Sequence, residues 1–456
     1  MSSPATWLDS TSPAFKDYLS GRRLEEIECI IPDFVGTSRG KAMPSYKFKP
    51  QLEIALPISI FYQTISGEYV EMDIENQWLE FDVVLTPDMN TVSAVPWSDD
   101  PTAQVICDMS YRDGQPLDIS PRAVLKKVMG LYAEHGWKPV VAPELEFFLT
   151  KPNLDPNEPV APPVGRSGRP WMNRQVYSMA AVDEYGPVID TIYEFAEHQG
   201  LKIDTVIQEG GAGQMEINLQ HGDPLDLADQ VFYFKRSIKE AALKHDMYAT
   251  FMAKPMKEQP GSAMHLHQSV VDLQAGQNIF SRADGSPTDE FNHFIAGQQT
   301  YLMQVMPLLA PYVNSYRRFT GESEAAPTNL EWDTDNRTTG IRVPFSPPEA
   351  RRVENRVIGM DCNPYLAIAG SLACGLLGIR NKLAPTKPAG IAVEESELEL
   401  YKSLSEALDA FEDAADIRAL LGENFCQVYG DVKREENNEY QREITPWERQ
   451  YLLQNA

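Results

Sequence analysis

Apolar and polar residues alternate in several stretches of this chain, and that two-residue period belongs to the β-strand, whose successive side chains point to opposite faces. Ile27, Cys29 and Ile31 alternate before Pro32-Asp33 breaks the pattern. Phe81 to Leu85 predicts a short strand stopped by Thr86-Pro87-Asp88, and Ala103 to Cys107 predicts another. Residues 22–107 therefore read as a small, mainly β unit, after a polar stretch, 1–20, expected to be loose. The period changes at Ser120-Pro121, a serine N-cap followed by proline at the first helical position. Val124, Val128 and Leu131 continue it as a helix stripe that ends near Gly136. Residues 151–175, rich in Pro, Gly and Asn, predict a long loop. Helices are expected over Ile189–His198 and Leu225–His245, and again beyond residue 394, where Leu404, Leu408 and Phe411 repeat at helical spacing.

The stretch Val140 to Leu149 is the most informative. As a strand it puts Leu145, Phe147 and Leu149 on one face and Glu144 and Glu146 side by side on the other. Two carboxylates aimed together resist ionisation unless something positive lies between them. Three further stretches repeat the design. Gln214, Glu216 and Asn218 oppose Met215, Ile217 and Leu219; His265, His267 and Ser269 oppose Met264 and Leu266; Arg352, Glu354 and Arg356 oppose Val353 and Val357. Any one of them alone is explained by a strand with a solvated polar face. Four rows mixing carboxylates with histidine or arginine point to a shared cavity, where unpaired charge is costly.

Composition narrows the picture. The 456 residues favour two domains, and 43% apolar content supports a substantial core. Forty basic residues against 66 acidic give a net charge of −26, which disfavours nucleic acid or an anionic membrane as partner. The first twenty residues lack the basic start and apolar run of a signal peptide. The apolar run Ala367 to Ile379 is too short to span a bilayer. Five scattered cysteines without CxxC spacing suit a reducing, cytoplasmic setting and no thiolate metal site.

Glutamates with one histidine suit a hard divalent cation, Mg²⁺ or Mn²⁺, rather than zinc. Hard cations beside many arginines suit phosphate. The chain has neither a GxxxxGK[ST] loop nor a GxGxxG opening a helix after a strand. The residues alone thus point to a metal-dependent phosphoryl-transfer enzyme with a carboxylate-lined β cavity.

Taken in order, Pro143 to Leu149, Gly213 to Glu216, Met264 to Ser269, Asn314 to Arg318, Asn336-Arg337 through Pro344, Arg352 to Arg356 and Asn363-Pro364-Tyr365 resemble the motif set of the glutamine synthetase family. The resemblance runs from about residue 22 to the C-terminus. It implies an α+β fold: a β-grasp-like N-terminal domain over 22–107, and a catalytic domain over 115–456 built on a curved antiparallel sheet with surrounding helices. It implies two divalent cations, Mg²⁺ or Mn²⁺, one held by Glu146, Glu209 and Glu216 and the other by Glu144, His265 and Glu354. His267, Ser269, Arg342 and Arg352 match nucleotide-contacting positions, and Gly261, Arg318 and Arg356 match glutamate-binding ones. Arg337 matches an arginine at the transferring phosphate. Glu324 in Gly321–Pro327 matches the flap base, with Glu322 as its alternative. ATP and glutamate are the implied substrates, and a ring-forming homo-oligomer, a dodecamer, is the expected assembly.

Departures from the family pattern bear on the second substrate. Pro260-Gly261 stands where glutamine synthetases carry Asn-Gly, and the Asp-Gly-Ser-Ser motif that walls the ammonium site is absent from Ile58 to Asp82. Ser38 to Lys41, Tyr177-Ser178, Phe251 to Pro255 and Val357 to Asp361 resemble the branch that γ-glutamylates putrescine and other polyamines. The expectation is a glutamate–polyamine ligase of polyamine catabolism. The rival readings are an ammonia-using glutamine synthetase and a non-catalytic structural member of the fold.

Overall fold

The computed structural model describes residues 6–70, 81–172, 174–321, 326–390 and 396–456. The first sheet is built from β1 (Glu26–Pro32), β2 (Ser38–Pro44), β3 (Ile54–Pro57), β4 (Asp82–Pro87), β5 (Ser93–Ala94) and β6 (Thr102–Ser110). Its order is β2-β1-β6-β4-β3, with β5 added on β6. β1 and β6 run parallel and the other pairs antiparallel, so the sheet is mixed.

The stretch expected to be loose is partly folded. Ser12 caps α1 (Pro13–Leu19) by accepting from the Phe15 N–H, Pro13 starts the helix, and Phe15 and Tyr18 are buried. The same cap-and-proline signal that marks Ser120-Pro121 was present here, and Phe15 and Tyr18, three residues apart, share one helix face.

The second sheet comprises β7 (Trp137–Thr150), β8 (Ile203–Gln208), β9 (Gln214–Leu219), β10 (Tyr248–Thr250), β11 (Leu266–Asp272), β12 (Gln277–Asn278), β13 (Trp332–Thr334), β14 (Ile341–Val343) and β15 (Val353–Asn355). Its order is β13-β14-β15-β11-β7-β9-β8, with β10 on β7 and β12 on β11. All pairs are antiparallel except β13 with β14. The central β7 has fourteen residues, long enough to pair with β11 along its first half and with β9 along its second.

Eleven further α-helices follow among the described residues. They are α2 (Pro121–Ala133), α3 (Met179–Glu184), α4 (Gly186–Gln199), α5 (Pro224–Leu243), α6 (Asp289–Tyr301), the short α7 (Met306–Leu309), α8 (Pro364–Arg380), α9 (Leu404–Glu412), α10 (Ala415–Leu421), α11 (Glu423–Gln441) and α12 (Pro446–Tyr451). The apolar run at 367–379 lies in α8, where every residue from Pro364 to Gly378 is buried. A helix apolar all round belongs in a core. Asn363 caps it by accepting from the Tyr365 and Leu366 N–H groups. α6 crosses it in backbone contact, because a Cβ on Gly378 would fall 2.6 Å from Gly297 Cα and 2.1 Å from His293 O. Among the described residues, no helix is long and apolar enough to cross a membrane. The five cysteines are free and buried.

One continuous core underlies both sheets. A buried arginine pins them together: Arg122 on α2, 1% exposed, reaches Asp88 after β4, Asp108 on β6 and Asp229 on α5 at 2.8, 2.5 and 2.9 Å. The Tyr365 hydroxyl donates to Asp229 at 2.6 Å. Removing one partner from such a buried charge cluster costs about 3–5 kcal/mol.

Candidate active site

Strand register assembles the four polar rows into one. Glu146 faces Glu216 and Glu144 faces Asn218 across β7 and β9. On the other side of β7, the Glu144 N–H donates to His265 O, and the Glu146 N–H donates to Ala263 O. His267 faces Glu354 across β11 and β15, and Arg342 faces Glu354 across β14 and β15. The reverse side of β7 is apolar, with Leu145, Phe147 and Leu149 fully buried. This strand therefore separates core from site residue by residue.

The row lines a cavity of about 920 Å³ that also exposes Glu209, Gly261, Arg318, Arg337 and Arg356. Glu144, His265 and Glu354 present ligand atoms within 4.8 Å of one another. His265 Nδ1 lies 3.1 Å from Glu144 Oε2, 3.8 Å from Glu354 Oε1 and 3.9 Å from Glu146 Oε1. Glu354 is bracketed by Arg342 at 2.6 Å and Arg356 at 2.8 Å.

Of the expected nucleotide contacts, Arg342 lines the cavity, while His267, Ser269 and Arg352 lie outside its lining. His267 Nε2 is 2.8 Å from Glu144 Oε1, and Arg352 Nε donates to His267 Nδ1 at 3.1 Å, so both extend the row sideways. Ser269 lies two residues further along β11, opposite Val140. The expected flap bases, Glu324 and Glu322, lie outside the described residues.

Gly261 meets a steric requirement. A Cβ there would fall 2.5 Å from Arg318 Cγ and 2.7 Å from Ala253 O. Arg318 is itself buried, and its guanidinium donates to Val357 O at 3.1 Å.

The electrostatics of the six-group cluster are unbalanced. Burial, reinforced by Glu209, pushes the Glu146 carboxyl up to about 8. Burial together with Glu144, Glu146 and Glu209 pushes Glu216 up to about 9. Glu209 is raised by burial and by Glu144. Burial also opposes ionisation of Glu144, but its hydrogen bonds with His265 and His267 prevail and hold it far below the usual range. Burial of Glu354 is likewise outweighed by His265, His267 and Arg356, which hold it down at about 2. Burial lowers His265 and favours the neutral, metal-binding imidazole. Five carboxylates and one imidazole, three of the carboxylates disfavoured as anions where they stand, fit hard divalent cations.

Sequence reasoning missed part of the supporting layer. Gln214 Nε2 donates to Gly261 O at 2.9 Å and lies 3.4 Å from Glu146 Oε2, tying β9 to the Gly261 loop. Gln259 accepts from the Ala212 N–H at 2.9 Å, and Lys254 Nζ donates to Gln259 O at 2.6 Å. Gln214 belonged to a recognised polar row. Gln259 had no signal beyond its place before Pro260-Gly261.

Residues 118–452 match the family described as glutamine synthetase, catalytic domain. The chain is 36% identical to gamma-glutamylputrescine synthetase PuuA of Escherichia coli strain K12, covering 94% of this chain and 92% of that one. It is 33% identical to a glutamate–isopropylamine ligase of a Pseudomonas species, covering 95% and 96%. A solved structure titled apo GmaS without ligand superposes with a TM-score of 0.80 at 24% identity, over 97% of this chain and 99% of that one, a likeness of fold.

Proposed function

The chain belongs to the glutamine synthetase family, and from that membership we propose that it is an ATP-dependent ligase joining the γ-carboxylate of glutamate to a primary amine of a polyamine such as putrescine, spermidine or spermine. The observation that carries the reading is the register-built row from Glu216 through Glu146, Glu144 and His265 to Glu354, in one cavity with Arg318, Arg337, Arg342 and Arg356.

Glu146, Glu209 and Glu216 would hold one divalent cation, and Glu144, His265 and Glu354 the other. When bound, such cations offset the negative charge of the transferred phosphate. Arg318 and Arg356 bind the carboxylates of glutamate, while Arg337 faces the phosphate moving from ATP to the γ-carboxylate. Arg342 holds nucleotide phosphate, with His267, Arg352 and Ser269 along its path. The acyl phosphate is attacked by the amine, phosphate leaves and an amide remains. Glu324 takes the proton the attacking ammonium must lose. The enzyme works as a ring-forming homo-oligomer.

Two things support a large acceptor. The relatives at 36% and 33% identity are named for putrescine and isopropylamine, amines that carry a carbon skeleton. The chain also lacks the Asp-Gly-Ser-Ser motif and carries Pro260 at the cavity lining. The test is phosphate release with ammonium, putrescine, spermidine, isopropylamine and ethanolamine under identical glutamate, ATP and Mg²⁺. Putrescine or spermidine is expected to give the highest kcat/KM, and ammonium as the best acceptor would overturn the reading.

A further inference from the structure

A second cavity of about 980 Å³ lies between the turn joining β1 to β2 and the catalytic sheet, and shares no lining residue with the first. One wall is a stripe of α5: Phe232, Lys235, Lys239 and Leu243, spaced three and four residues apart and so on one helix face. Facing it are Phe251 and Met252 beyond β10, and Tyr312, Val313 and Asn314 before Arg318. Ile65 comes from the N-terminal unit.

The charge of this cavity is unusual. Lys235 Nζ sits 5.2 Å from the Phe251 ring centroid, and Lys239 Nζ sits 5.8 Å from the same centroid. Lys235 donates to the backbone oxygens of Met360 and Cys362, at 2.8 and 3.2 Å. Among the described residues, no carboxylate lies within 4.0 Å of either ammonium. Two acidic groups, Glu436 and Asp361, share the lining. Glu436 takes Lys433 at 2.7 Å and the Ile65 N–H at 2.8 Å. Asp361 accepts from Ser315 at 2.6 Å with one oxygen, its other oxygen has no hydrogen-bond partner among the described residues, and its charge favours the charged form of Lys235. Arg236, the third cation, is paired with Glu28. Two like charges one helical turn apart repel, and here both lie over the Phe251 ring beside an apolar wall.

We infer that this cavity binds a small carboxylate- or sulfonate-type anion with an apolar body, its charge held by Lys239 and Lys235 and its body lying against Phe251, Phe232 and Leu243. The ligand sits behind the catalytic cavity. Asn314, which lines the second cavity, exchanges hydrogen bonds with the Lys254 backbone at 2.9 and 3.0 Å, and Lys254 lines the first. The site stands independently of the acceptor specificity proposed above.

The test is fluorescence titration of the full-length protein, in its native assembly, with 8-anilinonaphthalene-1-sulfonate, an apolar anion. Wild type is expected to bind it. Lys239→Met should weaken binding about five- to tenfold, the loss of one charge-assisted contact, while Lys239→Arg should retain it. Saturating ATP, glutamate and Mg²⁺ should not displace the probe. The Tm of Lys239→Met confirms that the variant is folded, since this side chain is solvent-accessible. No binding to wild type, equal binding to Lys239→Met, equal loss in Lys239→Arg, or displacement by the substrates would each overturn the inference.

Discussion

Glu146 and Glu216 are direct register partners on neighbouring antiparallel strands, so their carboxyl groups emerge from one face of the sheet side by side. Burial raises both, reinforced by Glu209 at Glu146 and by Glu144, Glu146 and Glu209 at Glu216, to about 8 and about 9, against about 4.3 for an exposed glutamate. The folded chain then binds protons at neutral pH that the unfolded chain has released. Their contribution to stability is complete below about pH 4 and is lost as pH rises through the folded values. The metal-free protein is expected to lose several degrees of Tm between about pH 6 and pH 9. Mg²⁺ or Mn²⁺ should remove most of that slope by replacing protons with a cation. Thermal melts across this range with EDTA and with excess Mg²⁺ check it, and parallel curves would contradict it.

Arg356 contacts Glu354 at 2.8 Å and faces the cavity where glutamate is proposed to bind. Arg356→Ala should raise the KM for glutamate at least about tenfold, as loss of a charge-assisted contact. ADP affinity, measured by calorimetry, should change less than about threefold. A lower Tm is also expected, because Glu354 loses one of its two arginines. An unchanged KM for glutamate would remove Arg356 from the glutamate site.

Glu324→Ala should lower kcat by about 10²–10⁴, the range of general-base catalysis, with metal and nucleotide affinity retained. Hydroxylamine, already unprotonated at assay pH, should suffer a smaller loss than putrescine. If Glu322→Ala carries the defect instead, the base is two residues earlier in the sequence.

Gly261→Ala places a methyl group against Arg318 Cγ and Ala253 O. Neither the backbone oxygen nor the buried arginine yields easily, and overpacking of this kind costs about 1–3 kcal/mol. The variant should melt lower and use glutamate less well, whereas a Gly222→Ala control, whose added Cβ would lie 3.5 Å from Leu227, should be milder. Melting curves and glutamate KM on both proteins separate the two.

Alternation made individual strands legible, because it depends only on neighbours in the chain. It placed the polar face of β7, β9, β11 and the stretch around β15 before any fold was known. It did not say that His267 meets Glu354, since that pairing joins segments far apart in sequence. The parallel pairing of β13 with β14 was illegible for the same reason. α1 was missed although Ser12-Pro13 announced it, because a seven-residue helix shows too few apolar repeats to stand out. The polar rows could be read from residue type and spacing. Gln259 and the Lys235–Lys239 stripe could not, since a polar residue in a loop and lysines on a helix are ordinary until their surroundings are known.

Arg122 bears on how the protein can be re-engineered. Its guanidinium takes carboxylates from the end of β4, from β6 and from α5 at once, and cutting the chain near residue 115 would leave it with Asp229 alone. The core surface that the first sheet covers would be bared by the same cut, so the part from residue 115 onward expressed by itself should be prone to aggregate. Domain exchange between relatives with different acceptors should therefore fail unless Asp88, Asp108 and Arg122 travel together. Grafting the segment around Pro260 leaves that lock untouched and is the practical route to testing the amine preference proposed above.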